Sequence, residues 1–121
     1  MNLLPILEAL RDFDTALIAS TIDYIDTTPP DYHFHKHGLI GLTKYLAAWA
    51  GARGVRVNAI SPGGFRTKDH QEPFLSQYCR RVLLKRMAEY DDIKGVVVFL
   101  ASEASRYITG QNIIVDGGYT C

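Results

Sequence analysis

The sequence predicts an α/β protein built on part of a doubly wound parallel sheet. Short apolar segments of strand length alternate with longer segments in which apolar residues recur at helical spacing. The first strand-length segment shows no alternation of apolar and polar residues, which is typical of a strand buried on both faces of a parallel sheet. Strands that alternate with helices in this way indicate βαβ units, so we expect about three parallel strands with flanking helices.

The predicted elements begin and end at residues suited to those positions. Asp31 is a candidate N-cap after two prolines, and Gly54 follows the end of the longest helix. The apolar stripe predicted for that helix consists of Leu39, Leu42, Leu46 and Trp49, with Ile40 and Ala47 beside it. The predicted helices are Leu3–Leu10, Asp31–Arg53, Pro73–Leu84 and Tyr90–Ala104, and the predicted strands are Thr15–Ser20, Val55–Ile60 and Gln111–Val115.

Length and charge narrow the class of protein. The 121 residues are expected to form one domain, residues 1–121, and 13 Lys and Arg balance 13 Asp and Glu. Because no basic run appears, nothing favours nucleic acid or an anionic membrane surface as a partner. No apolar run approaches the roughly 20 residues that a membrane span needs, and the first residues do not resemble a signal peptide. We therefore expect a cytoplasmic protein.

Cysteine and histidine are the candidate metal ligands. Cys79 and Cys121 lack metal-ligand spacing, and unpaired thiols in a reducing cytosol are a simpler interpretation than a lone disulfide between them. His33 and His37 share a helix face, whereas His35 points elsewhere and no carboxylate or cysteine completes a set. We prefer solvated or interface histidines to a metal site.

Tyr32 and Lys36 form the most informative pair in the sequence. At i and i+4 they share one face of the first turns of the long helix. A fixed cation near a phenol stabilises the phenolate, and the tyrosine can then exchange a proton with an alcohol or carbonyl oxygen. The alternative is an ordinary solvated pair on a helix surface, which such short patterns often represent.

Context separates this pair from a second one with the same spacing, Tyr90 and Lys94. The first pair opens a long helix just after a predicted strand, and ligands bind at strand ends of open parallel sheets. The following strand leads into the small-residue turn Ser61–Gly64, where a backbone can approach a ligand closely. The second pair lacks such a strand, and its acidic neighbours are explained by a helix start.

Residues 32–120 resemble the C-terminal half of the short-chain dehydrogenase/reductase family. The similarity covers about three quarters of the chain, and its motifs occur in the family's order, which makes them more specific together than singly. The matching motifs are Tyr32-x-x-x-Lys36, Gly38-Leu-Ile-Gly-Leu-Thr-Lys44, Val55-Arg-Val-Asn-Ala-Ile-Ser-Pro-Gly63 and Tyr107-Ile-Thr-Gly-Gln-Asn-Ile-Ile-Val-Asp-Gly-Gly118.

The resemblance implies a Rossmann-like fold and specific residue roles. Tyr32 would be the catalytic acid/base, Lys36 would stabilise its phenolate and bind the nicotinamide ribose, and Ser20 would orient the substrate. NAD or NADP would be the cofactor, a small alcohol or carbonyl compound the substrate, and a homo-oligomer the assembled form. The residues implied in cofactor binding are Tyr32, Lys36, Pro62, Gly63, Phe65 and Thr67.

Alternatives remain for some of these roles. Ser20 is also explained as a hydroxyl that caps a turn at the end of a strand, and Pro62-Gly63 as an ordinary turn. The segment His70–Leu75 resembles a branch of the family linked to flagellin modification and nonulosonic acid sugars, which implies a sugar or nucleotide-sugar substrate.

The sequence also departs from the family pattern. The Gly-x-x-x-Gly-x-Gly turn that holds the pyrophosphate is absent, and the first glycine is Gly38. Asn2 lies too close to Ser20 to take the family's fourth catalytic position, and bulky residues such as Phe34 stand between Tyr32 and Lys36, where they would change helix packing or crowd the site. Two functions follow: an oxidoreductase, or a truncated, non-catalytic scaffold unable to bind the dinucleotide alone.

Overall fold

The computed structural model describes residues 30–68 and 70–121. In this part of the chain a long helix comes first, then a strand, two further helices, a short 3-10 turn and a second strand. The elements are α1 (Pro30–Gly51), β1 (Ala59–Pro62), α2 (Phe74–Arg81), α3 (Tyr90–Ala101), the 3-10 turn Glu103–Ser105 and β2 (Asn112–Val115). The predicted helix Leu3–Leu10 and the predicted strand Thr15–Ser20 lie outside the described residues.

Strands β1 and β2 pair in parallel, with Ala59 opposite Asn112 and Pro62 opposite Val115. Parallel neighbours need a long crossover, and the chain from α2 to the 3-10 turn supplies it. The predicted α/β class with a parallel sheet is therefore confirmed for the described residues. No helix in the described ranges is long and apolar enough to cross a membrane.

Strand β1 begins and ends later than predicted, at Ala59–Pro62 instead of Val55–Ile60. Before Ala59, side chains take over part of the pairing: the Val57 N–H donates to Thr109 Oγ1 at 3.0 Å, and the Asn58 side-chain amide donates to the Ile108 carbonyl at 3.0 Å. One backbone bond remains there, from the Gly110 N–H to the Val57 carbonyl at 2.7 Å. Pro62 ends the strand without loss of a β-sheet hydrogen bond, because the Gly63 N–H donates to the Val115 carbonyl at 2.9 Å. A proline is tolerated where the ladder requires no donor from it.

The fully buried positions of α1 are small residues, and Leu46 and Trp49 of the predicted stripe pack against them half-buried. Thr43, Ala47 and Ala50 are buried, whereas Leu42 is 40% exposed. The stripe prediction was therefore wrong at its centre. A Cβ added to Gly110 would lie 3.4 Å from the Ala47 side chain, so small side chains allow α1 to approach the segment before β2 closely.

A second buried cluster joins α2 to the chain after β2. Its buried members are Tyr78, Val82, Met87 and Tyr119. Helix α2 ends at Arg81, before the predicted Leu84, because Val82 turns to extended backbone and packs in this cluster. The Leu84 N–H then donates to the Gly117 carbonyl at 3.1 Å, which ties the chain just after α2 to the turn after β2.

Candidate active site

The first part of the site is the start of α1. Lys36 Nζ lies 5.5 Å from the centre of the Tyr32 ring, and both side chains are half-buried. The predicted shared face is thus confirmed, with the ammonium over the aromatic ring. The contact is a cation–π interaction between the ammonium and the face of the phenol ring.

The bulky neighbours of this pair point mostly to solvent. Phe34 is 76% exposed, and His35 and His37 are exposed as well. His37 Nδ1 lies 3.0 Å from the His33 carbonyl, one helical turn away. Across residues 30–68 and 70–121, no three His, Cys, Asp or Glu side chains are arranged to hold a metal ion.

The second pair with the same spacing behaves differently, as the sequence predicted. The Asp92 carboxylate accepts the Glu89 N–H at 2.8 Å at the start of α3, and Lys94 forms an ion pair with Asp91. Tyr90 is 77% exposed, and its ring stacks on Phe65 at 5.6 Å between centroids. Lys94 is therefore engaged by a carboxylate, and this pair is explained by the helix start.

The second part of the site is the segment 62–67, which leaves the end of β1. A Cβ on Gly63 would lie 2.9 Å from Asp116 Cα, and one on Gly64 would lie 2.8 Å from Tyr78 Cζ. The structure therefore requires small residues here, as predicted. The requirement already follows from protein packing, because the crowding atoms belong to Asp116 and Tyr78.

Phe65 and Thr67 lie in the second half of this segment, where Phe65 is half-buried. Ala88 donates to the Gly64 carbonyl and accepts the Arg66 N–H, both at 2.9 Å. In a parallel bridge this pattern directs the N–H and C=O of the intervening Phe65 to the opposite side. Thr67 is exposed, and its hydroxyl lies 3.2 Å from His70 Nδ1. The segment thus offers backbone and hydroxyl groups to a polar ligand such as a carboxamide.

The described site residues form two separate groups. One is Tyr32 with Lys36, and the other is the segment with Pro62, Gly63, Phe65 and Thr67. In the part of the chain that the structure describes, no hydrogen bond joins the two groups. Ser20, which the sequence predicts as the substrate-orienting residue, lies outside the described residues, as does Asn2.

Sequence reasoning did not single out two residues beside the segment, Tyr78 and Asp116. The Tyr78 hydroxyl accepts a hydrogen bond from the Gly64 N–H, and burial raises the pKa of this phenol. Asp116 accepts hydrogen bonds from the Gly118 N–H at 2.8 Å and from the Thr120 hydroxyl at 2.6 Å. Burial works against ionisation of Asp116, but these hydrogen bonds outweigh it and lower its pKa. The Asp-Gly-Gly sequence is typical of such a turn and was the available signal.

A small cavity lies between the segment and the turn after β2. Its volume is about 130 Å³, and the lining includes Gly63, Gly64, Tyr78, Arg86, Asp92 and Asp116. Arg86 and Asp92 bind each other through two hydrogen bonds of 2.6 and 2.7 Å, which raise the pKa of Arg86 and lower that of Asp92. Pockets for drug-sized ligands measure about 300–1,000 Å³, so this cavity is too small for a dinucleotide.

Comparison with known proteins supports the parallel α/β fold. Residues 15–120 match the family model described as enoyl-(acyl carrier protein) reductase. The 7α-hydroxysteroid dehydrogenase of Bacteroides fragilis is 42% identical over 94 residues, which are 74% of this chain and 36% of that protein. The probable galactose dehydrogenase of Rhizobium meliloti is 41% identical over 106 residues, 82% of this chain and 41% of that protein.

Solved structures give the same result. A short-chain dehydrogenase from Leptospira borgpetersenii with bound NAD⁺ has a TM-score of 0.80 at 35% identity, covering 92% of this chain and 48% of that one. A blue fluorescent protein from a metagenomic library, in complex with NADPH, has a TM-score of 0.74 at 32% identity, covering 86% of this chain and 44% of that one.

These matches define a class, the Rossmann-like oxidoreductases. Within it, the chain belongs to the short-chain dehydrogenase/reductase family. The chain spans about two fifths of the length of the curated relatives that it matches.

Proposed function

We propose that this chain supplies the proton-transfer and nicotinamide-facing part of an NAD(P)-dependent oxidoreductase that interconverts an alcohol and a carbonyl compound. The observation that carries the proposal is the Lys36 ammonium over the Tyr32 ring, 5.5 Å from its centre, at the start of α1 in a member of this family. The second Tyr-x-x-x-Lys pair of the chain lacks a comparable arrangement, because Asp91 engages its lysine.

In this proposal each site residue has a separate chemical role. Tyr32 Oη exchanges a proton with the reacting oxygen, and Lys36 stabilises the phenolate. Ser20 is proposed to hold the reacting oxygen in place. The backbone of Pro62, Gly63 and Phe65 and the hydroxyl of Thr67 face the nicotinamide. When bound, the nicotinamide supplies the hydride chemistry, which no amino-acid side chain provides.

Binding of the cofactor is the first test. The purified chain is titrated with NADH and NADPH, and nicotinamide fluorescence and thermal shift are followed. Saturable binding supports the proposal, and the ratio of the two affinities indicates which cofactor the protein uses. An absence of binding at millimolar cofactor contradicts autonomous activity.

Tyrosine substitution is the second test. If the chain turns over an alcohol substrate, Tyr32→Phe should reduce turnover by about 100- to 10,000-fold, because positioned acid–base groups contribute on that scale. Tyr90→Phe is the matched control, since it removes the same hydroxyl from the second Tyr-x-x-x-Lys pair. Equal turnover in wild type and Tyr32→Phe would remove Tyr32 from the proposed role.

A second candidate function is a scaffold or remnant without catalysis of its own. It is favoured by the absence of a Gly-x-x-x-Gly-x-Gly turn from these 121 residues. Helix N-termini with such turns hold pyrophosphate, so their absence predicts weak dinucleotide binding. This function predicts a folded chain that associates with itself but binds neither NADH nor NADPH.

For the substrate, we propose a sugar or nucleotide-sugar derivative, on the resemblance of His70–Leu75. The relatives act on diverse compounds by name, including a steroid and galactose, so relatedness alone does not choose among them. A panel of sugar, steroid and aliphatic alcohols, assayed with each cofactor, tests the choice. Turnover of the steroid or aliphatic alcohols alone would reject it.

A further inference from the structure

Four aromatic rings form a continuous stack beside the segment 62–67. His70 stacks on Phe74 at 4.9 Å between centroids, Phe74 on Tyr78 at 6.0 Å, and Tyr78 on Tyr119 at 5.0 Å, with interplanar angles between 16° and 29°. Phe74 and Tyr78 lie four residues apart on one face of α2, and His70 stacks on Phe74 from the loop before this helix. We call this stack the aromatic ladder.

Two polar atoms of the aromatic ladder contact the segment, at Gly64 and at Thr67. The Tyr78 hydroxyl accepts the Gly64 N–H. His70 Nδ1 lies 3.3 Å from the Thr67 N and 3.2 Å from the Thr67 hydroxyl. These contacts bracket Phe65, whose own N–H and C=O are directed away from Ala88.

The ladder is itself held in the protein core. Tyr78 and Tyr119 are both buried, and Phe74 packs against the same cluster. Gly64 has no room for a side chain, because a Cβ there would lie 2.8 Å from Tyr78 Cζ and 2.9 Å from Met87 Cε. The ring of Tyr78 therefore sets the position of the Gly64 backbone by contact as well as by hydrogen bonding.

We infer that the aromatic ladder is a positioning device that keeps the segment 62–67 in its nicotinamide-facing conformation, with Tyr78 holding Gly64 and His70 holding Thr67. Tyr78 and His70 are thus positioning residues and do not contact the reacting atoms. The term nicotinamide-facing rests on the proposed function, whereas the two contacts stand without it. Because the ladder runs along α2, a change in the packing of this helix would move the segment.

Amide hydrogen exchange measured by NMR on the isotope-labelled full chain tests the ladder directly. Tyr78→Phe keeps the stacked ring and removes only the hydroxyl, so the Gly64 amide should exchange at least about tenfold faster. The Gly63 amide, which donates to the Val115 carbonyl, is the internal reference and should change much less. Equal acceleration at both amides, or none at Gly64, would overturn the proposal.

Two variants of His70 test the contact between His70 and Thr67. His70→Phe keeps a ring on Phe74 but removes the acceptor, and it should accelerate exchange of the Thr67 amide. His70→Asn provides an acceptor without the ring and should restore part of the protection. Unchanged exchange at Thr67 in His70→Phe would show that His70 does not position this residue.

Cofactor titration distinguishes a failure of the inference about the aromatic ladder from a failure of the proposed function. If the wild type binds NADH, Tyr78→Phe should weaken binding at least about threefold, and equal affinity would overturn the link between ladder and cofactor. If the wild type binds neither NADH nor NADPH, the proposed function fails for this chain, and the exchange data still decide whether the ladder holds the segment.

Discussion

The two groups of candidate site residues are held in place by different physical means. Tyr32 and Lys36 meet because four residues of α-helix bring side chains to the same face, so their geometry is local. The segment 62–67 is held by partners far along the chain, among them Tyr78, Ala88 and Val115. Local geometry tolerates change in the surroundings, whereas the segment depends on the packing of α2 and on the turn after β2.

Substitution of glycine should produce the largest difference between the two regions. Gly63→Ala places a Cβ 2.9 Å from the Asp116 backbone, which cannot rotate away, so we expect a loss of about 1–3 kcal/mol in the free energy of unfolding. Gly41→Ala in α1 meets no described atom within 4 Å and should stabilise by about 0.5–1 kcal/mol, because alanine favours a helix interior. Urea denaturation measures both, and equal effects would contradict the comparison.

The turn after β2 should give the next largest effect. Asp116→Asn weakens the acceptor for Gly118 and Thr120 and should cost about 1–2 kcal/mol at pH 7. The folded-state pKa of Asp116 lies below its unfolded value of about 3.9, so its stabilising contribution is complete above that pH and is lost as pH falls through the folded pKa.

The difference in the free energy of unfolding between wild type and Asp116→Asn should therefore be smaller at about pH 3 than at pH 7. Urea denaturation at pH 7 and pH 3 tests this expectation. A difference that widens in acid would show that the hydrogen bonds do not favour the ionised carboxylate.

Loss of the ammonium in α1 should have the smallest effect on stability. Lys36→Met removes a cation–π contact at a half-buried site, which is worth about 0.5–1 kcal/mol, and it retains an apolar side chain of similar length. Lys44→Met, on an exposed position of the same helix, is the matched control. A loss above about 2 kcal/mol for Lys36→Met alone would mean that Lys36 is structural.

The predictions from sequence were most accurate where the signal was local. Helix α1 was expected at Asp31–Arg53 and spans Pro30–Gly51, and β2 differs from its predicted range only at the first residue. The acidic helix start at Tyr90 was also predicted, because Asp92 lies close enough in sequence to accept the Glu89 N–H. Such features depend on periodicity and on caps within a few residues.

The predictions were wrong where contacts between distant parts of the chain determine the structure. Leu42 was placed on the buried face of α1, but the close approach of Ala47 to Gly110 turned the small-residue face inward. Strand β1 begins later than predicted because the side chains of Thr109 and Asn58 make hydrogen bonds before Ala59 in place of regular β-sheet pairing. Hydrophobic spacing identifies an apolar surface, but it does not reveal how closely a neighbour approaches.

Sequence alone determined the family, the parallel α/β class and the pairing of Tyr32 with Lys36, since motif order and helical spacing are properties of the chain. Only the tertiary structure showed that Gly63 and Gly64 are confined by Asp116 and Tyr78, and that the aromatic ladder contacts the same segment. The physical reason is that hydrogen bonds and packing between different elements depend on how those elements meet in three dimensions, and periodicity and motif spacing along the chain do not determine this.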